Sequence, residues 1–575
     1  MLSLKKHSKT LRISAFTGIA LLSLAFSDDY FEASKNLEIF NSLYKEININ
    51  YVDDINSSEM IETGIEAMLQ SMDPYTEYVP ESNMEDYRLR YVSTQYGGIG
   101  TSIYQRNGKF LVAEAFEGFP AQKSDLRAGD EITAINDLSL KGKPYESVSS
   151  MLKGPRGTSL KLTVLRPGEK EPLQKKLVRD EITQPNVSYS GLIDNNIGYI
   201  KLDKFLEKSA SEVETALIAI LKQKPEGLIL DLRSNGGGIL QEAVKIVNLF
   251  VEPNTIVVTQ KGKTKEKSFT YKTYNKPLAP KMPLAILVNG RSASASEIVA
   301  GALQDLDRAV IIGQRSYGKG LVQQSFNLPY NSLVKVTVAK YYTPSGRCIQ
   351  SLDYTHKQEN GQVVKIADSL INAYQTKGGR TVYDGSGVYP DRFVTPMKYS
   401  PIALTLLTKR FVFDYATLFR NTHSEIPKPG IFALSDEEYN KFVSYMSDKD
   451  YNYLTKTEKL LDDLKTEAEK EKKISEIQNE YNALKTKVSF SKKNDLSQFK
   501  PEIKLLLENE IISRYYFQNG RTENSFNSDK DIQSAKEVLS SKTMFTSILK
   551  GNGTYGSIGK PAHDFTASVS EDSED

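Results

Sequence analysis

Apolar positions change their spacing along this chain, and each change marks a predicted boundary. Residues 28–85 read as helical, with Ile61, Ile65, Met68 and Leu69 at helical intervals before the turn-like Asp73-Pro74. From about 86 to 170 the texture becomes short strands and glycine turns: Tyr96-Gly97-Gly98-Ile99-Gly100 opens it, and Gly129-Asp130-Glu131-Ile132 and Gly154-Pro155 punctuate it. Residues 171–405 alternate strands with helices. Leu228 to Asp231 and Leu284 to Val288 are short apolar runs, the pattern of strands buried on both faces. The stretch from Glu297 to Leu303 predicts a helix entered directly from a turn. Beyond 405, residues 454–486 are rich in Lys and Glu, and Leu460, Leu461, Leu464, Ile474 and Ile477 are spaced for an amphipathic helix. The acidic, serine-rich stretch from Ser568 to Asp575 predicts a disordered tail. The expected fold class is α/β, with helical segments on either side and no internal repeat.

Composition narrows the function. With 575 residues, the chain can build several domains with their own cores. A net charge of +2 gives no reason to expect nucleic acid as a partner. Cys348 is the single cysteine, which excludes an internal disulfide and a cysteine metal cluster. Lys5, Lys6, His7, Lys9 and Arg12 precede the largely apolar run Ile13 to Phe26, which ends at Ala25-Phe26-Ser27. A basic start, a short apolar core and a small-residue junction predict an export signal over residues 1–27, cleaved or kept as an anchor, and a periplasmic protein.

The chemistry concentrates at two stretches, Gly290-Arg291-Ser292-Ala293-Ser294-Ala295-Ser296-Glu297 and Tyr317-Gly318-Lys319-Gly320-Leu321-Val322-Gln323. They offer a serine nucleophile and a lysine base in a chain whose histidines are His7, His356, His423 and His563. A lysine kept neutral by desolvation can replace histidine as the base. A serine at a strand-to-helix junction also sits beside unpaired amides at a positive dipole end, where an oxyanion is stabilised. The simpler reading of Ser294 with Glu297 is a capping box, and the pattern leaves open which of Ser292, Ser294 and Ser296 reacts. Gly313 to Lys319 nearly makes a phosphate loop, but Gly320 replaces the hydroxyl residue that would hold magnesium. The glycine turn from Asp231 to Gly238 supplies either a second oxyanion donor or merely a tight turn.

Taken as a set, these pieces resemble the carboxyl-terminal processing proteases, serine peptidases with a Ser/Lys dyad and a PDZ domain. The matching motifs run in family order: Met68 to Pro74, Gly97 to Gly100, Gly129 to Ile132, Asp231 to Gly238, Ser292 to Ala302, Gly318 to Gln323, Tyr342 to Arg347 and Gly387 to Asp391. The resemblance implies Ser294 as nucleophile, Lys319 as general base and Gln323 as the residue that orients the lysine. It implies an oxyanion hole from the amides of Ala295 and Gly237, although Gly236 stands where the family often has proline. It further implies a crotonase-like core over 171–405 and an inserted PDZ domain over 86–170. That domain would bind a substrate C-terminus at the amides near Gly98, Ile99 and Gly100. The expected partners are proteins with exposed apolar C-termini, with self-association or an adaptor protein besides, and no cofactor or metal. Residues 406–575 lie largely outside the resemblance and form a C-terminal helical extension. Competing readings are a non-catalytic PDZ scaffold and a serine hydrolase that uses a distant His356.

Overall fold

A computed structural model describes residues 30–551, apart from 94, 195, 355–362 and 493. The export segment 1–27, the acidic tail from 568 and His356 lie outside the described residues. The described residues form two compact units, one of residues up to 78 with 325–336 and one of residues 79–324 with those from 337 onward.

The first unit contains helices at 30–50 and Ser57–Gln70. The second helix starts where Asn56 caps the amide of Glu59. Of its expected stripe only Leu69 is buried, whereas Met68 is exposed. No described helix is long and apolar enough to cross a membrane.

The second unit is built on a six-stranded sheet in the order β1 (Val187–Ile193), β2 (Ile197–Leu202), β3 (Gly227–Asp231), β4 (Leu284–Val288), β5 (Val310–Gly313) and β6 (Arg392–Phe393). β1 pairs antiparallel with β2, and the remaining neighbours are parallel. Parallel neighbours need crossovers, and helices α1 (Ser209–Leu221), α2 (Leu240–Asn248) and α3 (Ala295–Asp305) supply those from β2 to β5, whereas β5 reaches β6 through a long stretch of strands and loops. The apolar runs follow from burial on both faces. Leu228, Leu230, Leu284, Ile286 and Val288 pack with α1, α2 and α3. The alternate residues Ile229, Ala285 and Leu287, with Val310 and Ile312 of β5, face the other way.

That second face is covered from far along the chain. Phe526, Ile532, Ala535, Val538, Leu539 and Ile548 pack on it from the region of α4 (Lys530–Ser540) and α5 (Lys542–Leu549). A division at residue 405 therefore separates the sheet from helices that complete its core. Ile532→Ala should cost about 2–5 kcal/mol, because a fully buried side chain leaves a cavity in the sheet–helix seam. A lowered denaturant midpoint measures it; an unchanged midpoint would mean that α4 is dispensable to the core.

The small domain ahead of the sheet has five main antiparallel strands, from Thr101–Arg106 to Leu173–Val178. Its last strand runs past the expected end at 170 because it pairs along Ser159 to Val164. Helix Met84–Tyr91 crosses its expected start at 86. The domain meets helix Phe411–Thr422 through a bidentate pair, Arg106 to Asp414 at 2.9 and 3.1 Å. The Lys/Glu-rich stretch is two helices, Lys456–Lys470 and Ile474–Lys492, broken at Lys472, which has φ +57°. Leu461 is buried there, whereas Leu460 and Leu464 stay exposed.

Candidate active site

Three neighbouring parallel strands end at the same edge, and each feeds one piece of the candidate chemistry. β3 runs into the glycine turn, β4 into the serine loop and β5 into the lysine loop. Crevices at the carboxyl ends of parallel strands are where α/β sheets place their sites.

The serine loop is backbone-strained at one residue. Ser294 has φ 56° and ψ −114°, outside the extended conformation usual for an N-cap, as the chain turns into α3. Such strain persists only where the surroundings over-determine it, and it clusters at functional sites. The flanking serines are buried and committed. The Ser292 hydroxyl donates to the Leu232 carbonyl at 2.8 Å, and the Ser296 hydroxyl donates to the Asn235 carbonyl at 2.8 Å. Ser294 between them is half-buried.

The capping box suggested by the sequence is present, and its carboxylate reaches beyond the cap. Glu297 is fully buried, and its Oε2 accepts from the Ser294 amide at 2.8 Å and from the Lys319 amide at 2.9 Å. Oε1 accepts from the Gly318 amide at 2.6 Å and the Ser316 hydroxyl at 2.5 Å. Burial pushes this carboxyl upward in pKa, and those hydrogen bonds pull it back. A second brace lies on the carbonyl side. The buried Tyr341 hydroxyl donates to the Lys319 carbonyl at 2.7 Å and lies 3.2 Å from the Ser294 carbonyl. Two side chains thus tie the Ser294 backbone to the Lys319 backbone at both ends of each residue.

Gly237, with φ +92°, packs directly against this corner. A Cβ there would lie 2.8 Å from the Ala295 nitrogen and 2.8 Å from the Ser294 Cβ, so the turn admits only glycine. The Gly237 amide donates to Asn235 Oδ1 at 2.9 Å. The turn is pinned to the serine loop by the Ala293 amide, which donates to the Asn235 carbonyl at 3.0 Å. Gln323 lies on strand Leu321–Leu328, and its side-chain amide donates to the Thr337 hydroxyl at 3.1 Å.

The structure therefore gathers Ser294, Ala295, Gly237 and Lys319 into one corner, with Gln323 on the strand that leaves the lysine loop. Gly98, Ile99 and Gly100 belong to the small domain, where Ile99 is buried and Gly100 takes φ +74°. His423 stacks on Phe419 among the C-terminal helices, with ring centroids 3.9 Å apart. Among the described residues, no group of three or more His, Cys, Asp and Glu side chains is placed to hold a metal ion. Glu297, Tyr341 and Asn235 are the site residues that the sequence reading missed in these roles. Only Glu297 carried a signal, as the partner of a cap.

Comparison with known proteins adds the family. Residues 196–358 match the model of peptidase family S41, 112–166 that of a PDZ domain, and 402–539 that of a probable PDZ-protease C-terminal helical domain. A carboxy-terminal-processing protease of Bartonella bacilliformis is 36% identical over 366 residues, 61% of this chain and 83% of that protein. A probable CtpA-like serine protease of Staphylococcus epidermidis is 35% identical over 322 residues, 55% of this chain and 64% of that protein. The solved structure of a photosystem II D1 C-terminal processing protease aligns with 62% of this chain and 92% of its own, at 25% identity and TM-score 0.33. The chain belongs to peptidase family S41, as a carboxy-terminal-processing serine protease with a PDZ domain and a C-terminal helical domain.

Proposed function

We propose that Ser294 is the nucleophile of this protease and Lys319 its general base. The observation that carries the reading is the single carboxylate oxygen of Glu297 holding both backbones. The strained Ser294 backbone and the engaged hydroxyls of Ser292 and Ser296 support the choice of serine.

In the reaction, the neutral Lys319 amine takes the Ser294 proton as Oγ attacks the peptide carbonyl. The tetrahedral oxyanion is stabilised by the Ala295 amide, at the positive end of α3, and by the glycine turn. For Gly237 to be that second donor, the substrate oxygen replaces Asn235 Oδ1 as the acceptor of its amide. Collapse passes the lysine proton to the departing amine, and water then releases the acyl group from Ser294. Gln323, steadied by Thr337, orients the lysine. The core carrying this chemistry is crotonase-like, and the chain acts in the periplasm after export by its N-terminal segment. A second copy or an adaptor protein assists it.

Acid quenching during turnover, followed by peptide mass mapping, tests the reading. An acyl adduct on the peptide containing Ser294, absent from Lys319→Ala, is expected. An adduct on another serine rejects it.

Substrate selection falls to the PDZ domain. Its strand Thr101–Arg106 stands at the edge of its sheet, where a substrate tail adds as a further strand, with the amides of Gly98, Ile99 and Gly100 for the tail carboxylate. A Cβ at Gly100 would lie 2.4 Å from the Phe119 Cβ, so Gly100→Ala must distort this loop. Gly100→Ala should raise KM for a substrate with an apolar C-terminus by about tenfold with kcat preserved, a loss of uniform binding. A KM equal to wild type would remove the loop from recognition.

A further inference from the structure

The glycine turn is held from outside by a helix made much later in the chain. Arg233 is the hub. Its Nε and Nη2 donate to the Asp231 carboxylate at 3.0 and 2.6 Å. Its Nη1 donates to Asp529 at 2.7 Å and to Asp531 at 2.9 Å. Asp529 is the N-cap of α4, accepting from the amides of Asp531 at 2.9 Å and Ile532 at 3.2 Å. The other oxygen of Asp531 accepts from the Gln314 side-chain amide at 3.1 Å. Gln314 follows β5 directly and begins the loop that reaches Lys319. One helix start therefore touches the roots of both loops that face Ser294.

The turn needs such a hold. Ser234 takes φ 59°, a conformation that persists only where its surroundings fix it, and Gly237 and Gly238, at 92° and 148°, give the turn no stiffness of their own. A guanidinium suits the task because its planar fork bonds Asp231 on one side and α4 on the other. A lysine, as a point charge, cannot span both.

The geometry points to Arg233, gripped by Asp529 and Asp531, as a positioning residue for catalysis: it sets the glycine turn against Ser294 and Ala295, while Gln314 ties the lysine loop to the same helix. This assignment rests on the Ser294 and Lys319 reading and gives the C-terminal helical domain a part in the chemistry. None of the three charged residues acts on substrate; they act through the loops.

The test is Asp529→Asn with Asp531→Asn in the full chain. Asparagine keeps the shape and caps a helix about as well as aspartate, so α4 is retained while the charges drawing Nη1 are lost. Expected is a kcat about 10- to 100-fold lower on an unstructured substrate with an apolar tail, and KM within about twofold, the pattern of a lost transition-state interaction. Arg233→Lys should fail to restore kcat, and Asp531→Asn alone, which leaves the cap intact, should show a smaller loss of the same kind. Circular dichroism and the thermal midpoint establish folding. Unchanged kcat in the folded double variant, or a rise in KM at constant kcat, overturns the assignment. If the wild-type acyl adduct is absent from Ser294, it is the dyad reading that fails. If that adduct is present while the double variant keeps full kcat, only the clamp fails.

Discussion

Ser294→Ala will lower kcat on an unstructured substrate by about 10⁴-fold or more, and Lys319→Ala will do the same, with both proteins folded. The two losses are expected to be alike because nucleophile and base act as one unit, so the double variant loses no more than either single one. The braces that join the two loops run to the backbones of Ser294 and Lys319, so both substitutions leave them in place. Thermal midpoints should therefore stay close to wild type. The flanking serines make the contrast. Ser292→Ala and Ser296→Ala each remove a hydroxyl donor from a buried carbonyl that keeps an amide donor, at a cost of about 1 kcal/mol, and should retain turnover. Kinetics on all four variants, beside their melting curves, checks the set. Turnover surviving in Lys319→Ala would remove the dyad.

Glu297→Ala should cost both fold and activity. The fully buried carboxylate accepts from the amides of Ser294, Gly318 and Lys319 and from the Ser316 hydroxyl. Removing it strands several buried donors, a penalty of about 3–5 kcal/mol for breaking a buried charged network. Glu297→Gln is the sharper probe. It keeps the volume but turns an NH₂ toward one pair of donors, so one loop must shift. A displacement of about 1 Å is enough for a 10²-fold loss in kcat. KM for a tail-bearing substrate should hold, because tail recognition lies in the PDZ domain. A folded Glu297→Gln enzyme with wild-type kcat would show that the shared oxygen does not set the distance between the two loops.

The strands β3 and β4 were legible because strands buried on both faces must be short and apolar throughout. The serine, lysine and glycine-turn segments stood out as candidates only as a set, since alone the first also reads as a capping box and the last as a tight turn. The choice among three serines was not legible, since alternate residues of a loop look alike until their hydroxyls find partners. Nor was the wider role of Glu297. A capping box is a local pattern, whereas its reach to Lys319 depends on β4 and β5 being neighbours. The same limit hid the cover on the second face of the sheet. Ile532, Ala535, Val538 and Leu539 announce an amphipathic helix, but which surface receives it depends on strands hundreds of positions earlier. The stretch around Leu460 misled for the opposite reason. Its pattern predicted a single helix, and the left-handed break at Lys472 splits it.

The late cover on the sheet has a consequence for biogenesis. A ribosome adding on the order of ten residues each second finishes β5 many seconds before α4 emerges. During that interval the chain has the strands of its central sheet but neither the helices that cover their second face nor Asp529 and Asp531, which hold Arg233. Ile229, Ala285 and Leu287 therefore stay without their cover until the residues beyond 525 have been made.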